Sequence, residues 1–315
     1  MCTIETHWND RRFDPDSPVL AALPRRNSGT CPRPSTAPTP AKSLGRCKRP
    51  QQYLKGFGII TTLPNEGDIG HISKVGALLI GSWDAAIKFP ITRVDSMWHG
   101  WYMKRSDVVW ILPNTSRIFL VTNAPYTTPK YLLAAALGIP CVSLTWVTDM
   151  RRERTIRDWS QYLLPQGFSE ILKLRTSQMV DMDWGNSPEH TKRIMDNPAS
   201  AKLFAGCSIL CVTEETPSAQ LDTSATGPKS LAMIILAMGA DYVEIVDCVA
   251  DRSKTAFDYV IYLKRSQFEV PDVDIQVDGE ALWDGRAVKV RSWNWTKECL
   301  IANRLLPVRS SSARL

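Results

Sequence analysis

Pro129-Lys130-Tyr131-Leu132-Leu133-Ala134-Ala135-Ala136-Leu137-Gly138-Ile139-Pro140-Cys141-Val142-Ser143 reads as a helix followed at once by a strand. Thr128 stands at the N-cap position. Pro129 takes the first helical position, where its missing N–H costs nothing, and Gly138 stands just past the end. The residues from Tyr131 to Leu137 are almost wholly apolar, so this helix has no face for water and belongs inside the molecule. Pro140 to Ser143 then forms a short strand. A buried helix tied closely to a strand points to α/β layering.

The neighbouring segments carry the same text. Upstream, Gly56 to Thr62 reads as a buried strand, and Ile69, Ile72 and Val75 have helical spacing stopped by Gly76. Ala77 to Ile80 and Ile118 to Thr122 read as further strands, and Trp146 and Val147 open another helix. The order then recurs: a strand from Phe204 to Val212, a helix from Leu231 to Met238 stopped by Gly239, strands at Tyr242–Val246, Phe257–Leu263 and Val288–Arg291, and a helix from Trp293 to Asn303. Gly56 and Gly206 stand 150 residues apart and Trp146 and Trp295 149, while Gly76-Ala77 answers Gly239-Ala240 at 163, displaced by loop insertions. Two copies of one unit follow, each a parallel sheet with helices on both faces. The Trp-rich stretch from Trp83 to Trp110 takes no assignment.

The 315 residues carry a net charge of +6, but nine basic side chains against four acids in residues 1–50 leave only +1 for the rest. That tail also holds eight of the 21 prolines, and it reads as a disordered Pro/Arg-rich segment. Bulk charge on the folded part is therefore excluded as a means of recognising nucleic acid, and direct DNA binding remains a role for the tail alone. Arg46-Cys47-Lys48-Arg49 is a short basic run of the nuclear-import kind. The eight cysteines form no CxxC pair, so no metal is expected. No apolar run is long enough to span a bilayer, and the N-terminus has no signal-peptide pattern.

No catalytic residues are expected, because GxGxxG, HExxH and GxSxG are all absent. Gly227-Pro228-Lys229-Ser230 resembles the end of a phosphate-binding loop, but Asp222 stands where the upstream Gly belongs. One placement has chemical meaning. Lys130 puts a cation in the first turn of its helix, against the dipole, at a cost of about 0.3–1 kcal/mol when exposed. The arrangement makes sense where an anion comes to sit; otherwise it is a solvated lysine. Thr61 and Thr62, at the C-terminal end of the first strand, are candidate further donors.

Pro129 to Leu133, Leu137 to Ser143, Trp146-Val147 and Tyr162-Leu163-Leu164-Pro165-Gln166-Gly167-Phe168 together resemble the BRCT repeat. With Asp181-Met182-Asp183-Trp184 in the linker, Leu203 to Gly206, Phe257 to Ile261, and Trp295 with Cys299, the chain is similar to the tandem BRCT region that ends DNA-damage checkpoint mediators: the mammalian tumour-suppressor-binding scaffold and its fungal counterparts. The resemblance implies two tandem BRCT repeats, each a four-stranded parallel sheet flanked by helices. The boundaries expected are 1–50 for the tail, 53–168 for repeat 1, 169–200 for the linker, 201–308 for repeat 2 and 309–315 for a C-terminal tail. It implies packing of the repeats through one helix of the first and two of the second. It also implies an upstream Tudor region, for which fifty residues leave no room, so a short member or a piece of a longer protein is expected.

The resemblance further implies phosphoserine recognition by repeat 1, through a strand-end hydroxyl, the next backbone N–H and a lysine of the second helix. The corresponding positions are Thr62, the Leu63 N–H and Lys130, with Thr61, Thr127 and Leu132 along the peptide groove. Two positions depart from the pattern: Thr127 replaces an Arg, and Leu63, followed by Pro64, replaces a Gly. No second phosphate pocket is expected in repeat 2, whose helix between Leu263 and Ala287 looks reduced. The function implied is a nuclear, non-enzymatic, cofactor-free scaffold that docks on phosphorylated proteins, foremost a phosphorylated histone tail (that of histone 2A) at DNA breaks. The alternative is phosphate-independent protein–protein interaction or homodimerisation with a degenerate pocket. Ser177-Gln178 and Ser266-Gln267 have the form of kinase sites.

Overall fold

The computed structural model describes residues 53–63, 65–93, 100–113, 115, 117–213, 227–247, 256–263, 279–283 and 286–307. The basic tail, Pro64, Ser266-Gln267 and the segment 309–315 lie outside the described residues.

In the first half, β1 (Phe57–Thr61), α1 (Glu66–Lys74) and β2 (Leu78–Ile80) are followed by a long insertion that carries β3 (Ile87–Lys88), β4 (Thr92–Arg93), β5 (Gly100–Lys104) and β6 (Val109–Trp110). Then come β7 (Arg117–Thr122), α2 (Pro129–Leu137), β8 (Cys141–Ser143) and α3 (Thr145–Glu153). The sheet order is β2-β1-β7-β8, and every pairing is parallel. β1 and β7 are apolar runs rather than alternating ones because parallel central strands are covered on both faces. Asn65, whose side chain accepts the Gly67 N–H, caps α1.

α2 keeps its expected limits, and Gly138 ends it in the left-handed region at φ +69°. The Thr128 side chain makes no capping bond. All residues from Tyr131 to Leu137 are buried, as an all-apolar helix requires.

A linker of β9 (Gly167–Ser169), β10 (Leu174–Thr176) and α4 (Glu189–Lys192) leads to the second half. Trp184 is buried there, with its indole N–H on the Ile118 carbonyl at 2.8 Å and its ring stacked on His190. The second half holds β11 (Ser208–Val212), α5 (Pro228–Ala237), β12 (Tyr242–Val246), β13 (Tyr259–Tyr262), β14 (Glu280–Trp283), β15 (Arg286–Ser292) and α6 (Trp293–Ala302). The strand expected from Phe204 begins at Ser208, because Phe204 to Gly206 form a turn. The helix expected from Leu231 begins three residues earlier, at Pro228. The part of the expected reduced helix that is described is strand, β14 and the start of β15.

The repeat is real at the level of single bonds. The Leu54 N–H donates to Val75 O at 2.9 Å, and the Phe204 N–H to Met238 O at 3.0 Å. Gly76 and Gly239, next along, both have positive φ, +82° and +108°. Trp146 donates to the Arg157 carbonyl at 3.0 Å and Trp295 to the Leu306 carbonyl at 3.1 Å, each eleven residues on. Both tryptophans are core, as their matching positions imply.

The second sheet differs from the four strands expected. Its parallel part is β12-β11-β13-β15, but β14 adds one antiparallel strand at one edge and β5 with β4 add two at the other. β5 belongs to the first half's Trp-rich insertion. It pairs with β12 from Gly100↔Val246 to Lys104↔Tyr242, and Tyr102 stacks on Tyr242 at 5.6 Å. An edge strand presents unpaired backbone groups, and the insertion satisfies them.

α2 packs on α5 and α6. At the far end of this contact the Lys202 ammonium donates to Ala136 O of α2 (3.2 Å), Ala237 O of α5 (3.0 Å) and the Ser200 hydroxyl (2.9 Å). One cation thus answers the negative ends of two helices. Both sheets lie within one compact unit, Lys48–Leu315. No helix among the described residues is long and apolar enough to cross a membrane, and no group of three or more His, Cys, Asp or Glu among them is placed to hold a metal.

Candidate functional site

The C-terminal end of β1 and the first turn of α2 meet at one edge of the first sheet. Lys130 reaches across this edge. Its ammonium donates to the Gly81 carbonyl at 2.9 Å and to the Thr61 carbonyl at 3.4 Å. Its own carbonyl accepts the Trp83 indole N–H at 3.0 Å. Burial lowers the Lys130 pKa from its ordinary value, and no carboxylate among the described residues pairs with it. The charge is therefore held by carbonyl dipoles and sits at the positive end of a helix. An anion placed there restores the ammonium's stability and satisfies the helix N-terminus together.

The other expected residues are close by in the chain but differently engaged. The Thr62 hydroxyl donates to the Thr122 hydroxyl of β7 at 2.7 Å. Its single O–H is thus spent inside the fold. The Leu63 N–H donates to the Thr61 hydroxyl at 3.0 Å. Thr61 therefore meets both of the other elements of the site, the Leu63 amide through its hydroxyl and Lys130 through its carbonyl. Thr127 is exposed. Leu132 corrects the expectation of a groove residue: it is 2% exposed and belongs to the core, because α2 is enclosed on every side.

Three residues that shape the site escaped the sequence reading. Gly81 and Trp83 lie in the unassigned insertion, and Thr122 reads only as the end of a strand. Asp84, beside Trp83, pairs with Lys229 at 3.4 Å, so Gly227-Pro228-Lys229-Ser230 is the start of α5 and not a nucleotide loop. The insertion thereby ties the first turns of α2 and α5 together. In repeat 2 the positions 150 residues after Thr61 and Thr62 are Cys211 and Val212, neither of which carries a hydroxyl, and Thr213 follows them.

No family model matches the chain. Over 141 residues, 43% of its length, it is 33% identical to the DNA repair protein crb2 of Schizosaccharomyces pombe. The matched part is 17% of crb2, so the chain spans about a sixth of that relative. Two successive four-stranded parallel arrangements of like strand order, joined through α2, α5 and α6, accompany that match.

The fold resembles a tandem BRCT pair.

The resemblance to the tandem BRCT region of checkpoint mediators thus stands. Among solved structures, a BRCT pair of S. pombe Brc1 covers 79% of this chain and 94% of its own at 12% identity and a TM-score of 0.40. A structure of Rtt107p covers 83% and 91% at 12% identity and a TM-score of 0.44. A further structure is the complex of Rtt107p with phosphorylated histone 2A, at 14% identity and a TM-score of 0.40.

Proposed function

We propose that the chain is a phosphoprotein-docking scaffold module of nuclear DNA-damage checkpoint signalling, and that the phosphorylated tail of histone 2A is its ligand. The observation that carries this reading is Lys130: a half-buried ammonium at a helix N-terminus, held by the carbonyls of Thr61 and Gly81 with no acid among the described residues to answer it. The likeness to a DNA repair protein supports it. In this reading Lys130 and the Leu63 N–H take the roles expected of them, the N–H by turning from the Thr61 hydroxyl to the phosphate. Thr61 takes the role expected of Thr62, since an arriving phosphate can accept the Leu63 N–H and so release the Thr61 hydroxyl to donate as well. Such charge-assisted bonds hold a phosphate without bulk charge, which the near-neutral repeats lack.

The test is titration of phosphorylated and unphosphorylated histone-tail peptides into the full chain. Phosphorylation should tighten binding, and Lys130→Met should remove roughly tenfold or more of the affinity, the loss typical of a charged hydrogen bond. Equal affinity for the two peptides overturns the reading. A second reading is phosphate-independent docking of a folded partner or a second copy. It is favoured by Thr62 being bonded to Thr122 and by the missing cation at Thr127. Sedimentation and pull-down results indifferent to phosphatase treatment would select it.

A further inference from the structure

A groove of about 560 Å3 opens at the other end of the inter-repeat contact, within the range of peptide and small-ligand sites. Its walls come from three parts of the chain: Lys104 and Arg105 at the end of β5, Lys192 and Arg193 of the linker, and Tyr242 at the start of β12, with Trp110 beside them. We propose that this groove is a second docking site, for an acidic protein segment bearing carboxylates or phosphates, separate from the site at Lys130.

The separation follows from α2. Lys130 lies in its first turn. Asp196 lines the groove, and the next residue, Asn197, donates to Leu137 O (2.9 Å) and Gly138 O (3.3 Å) at the helix's last turn. The eight steps from Lys130 to Gly138, at about 1.5 Å each, set the two sites about 12 Å apart along the axis.

Charge selects the occupant. The two acids of the groove are both committed to Arg105, which is ion-paired with Asp196 and lies 4.0 Å from Asp241. Arg105 also donates to Met195 O at 2.7 Å, so it is a fixed part of the wall. Lys192 and Arg193 share a single carboxylate, Glu189, at 2.9 and 3.9 Å, and are otherwise exposed. The Lys104 ammonium lies over the Tyr102 ring at 5.4 Å and has no ion pair among the described residues. Positive charge is in surplus: four basic side chains line the groove against two carboxylates. Trp110 and Tyr242 add flat apolar surface for a peptide backbone or side chain. Asp196 and Asp241 favour a peptide over a nucleic acid, whose phosphates follow one another too closely to avoid two fixed carboxylates.

The experiment uses the full chain carrying Lys130→Met, so that the first site is silent. A fluorescent, glutamate-rich octapeptide with one phosphoserine is titrated by anisotropy, beside its Gln/Ser counterpart and a 12-base-pair DNA duplex. The acidic peptide should bind, and the exposed pair Lys192→Glu with Arg193→Glu should cost roughly tenfold or more in affinity, with an unchanged circular-dichroism spectrum and Tm. Absent binding, equal binding of the uncharged peptide, affinity indifferent to the charge reversals, or tighter binding of DNA that the same charge reversals weaken each overturns the proposal. Because the first site is silent throughout, failure of the histone-tail reading leaves this outcome untouched.

Discussion

Lys130 and Lys202, at opposite ends of α2, are both held by backbone carbonyls, and burial lowers the pKa of both. Lys202 has its three donors matched by three acceptors, two of them helix-end carbonyls. Its amine is nevertheless pushed from the ordinary 10.5 to about 7, by burial first and Arg105 second. Above that value the unfolded chain binds the proton more tightly than the folded one, so stability rises with pH. The rise should be measurable by urea denaturation between pH 7 and about 8.5, below the range where the buried Cys141 and Cys211 thiols, whose pKa values burial raises, begin to oppose it. Lys202→Met should flatten it. At the other end of α2 the prediction concerns two adjacent threonines. Thr61→Val should weaken phosphopeptide binding, because it removes the hydroxyl facing the Leu63 amide. Thr62→Val should spare affinity and cost about 1 kcal/mol of stability through the lost bond to Thr122. Isothermal titration and thermal melts of both variants separate the effects. The sequence shows that hydroxyls stand at this strand end. It does not show which one turns inward, because that depends on Thr122, a partner sixty residues away.

Among elements, α2 was legible to the residue because its signals are local: Pro129 to open it, Gly138 to close it and an apolar run between. The same run makes it the least replaceable element. Leu133→Ala should cost about 2–5 kcal/mol in chemical denaturation, as large-to-small changes in a packed core do. The Trp-rich insertion was illegible for the opposite reason. Its strands are two to five residues long, too short for a period, and what makes β5 a strand is β12, more than a hundred residues later. The linker shows how a short motif misleads. Ser177-Gln178 has the form of a kinase site, and Ser177 is exposed, but the Gln178 amide accepts the Cys141 N–H at 2.9 Å and donates to Cys141 O at 2.7 Å. A glutamine that extends the hydrogen bonding of β8 is withheld from a kinase. Phosphate incorporation at Ser177 should therefore be negligible in the folded chain and appear only after denaturation.

At the scale of the molecule, the two repeats are a single body. α2 lies against α5 and α6, the hairpin of β9 and β10 is held to α6 by Ser169 on Glu298 (2.7 Å) and Thr176 on Ile301 O (2.7 Å), and β5 completes the second sheet. Unfolding should accordingly be one cooperative transition, seen alike by fluorescence and circular dichroism. The second half expressed alone, from residue 201, lacks β4 and β5 and leaves β12 as an open edge. It should self-associate in size-exclusion chromatography, and the full chain should not do so through that edge. The loan of β5 also orders events in time. Gly100 pairs with Val246 and Lys104 with Tyr242, so a strand rich in aromatics leaves the ribosome some 140 residues before its partner. At about 5–20 residues per second that is a wait of roughly 7–28 seconds. During synthesis the first half is therefore a nascent chain with an adhesive, unpaired ribbon, and a holding chaperone has its natural target at Gly100–Lys104.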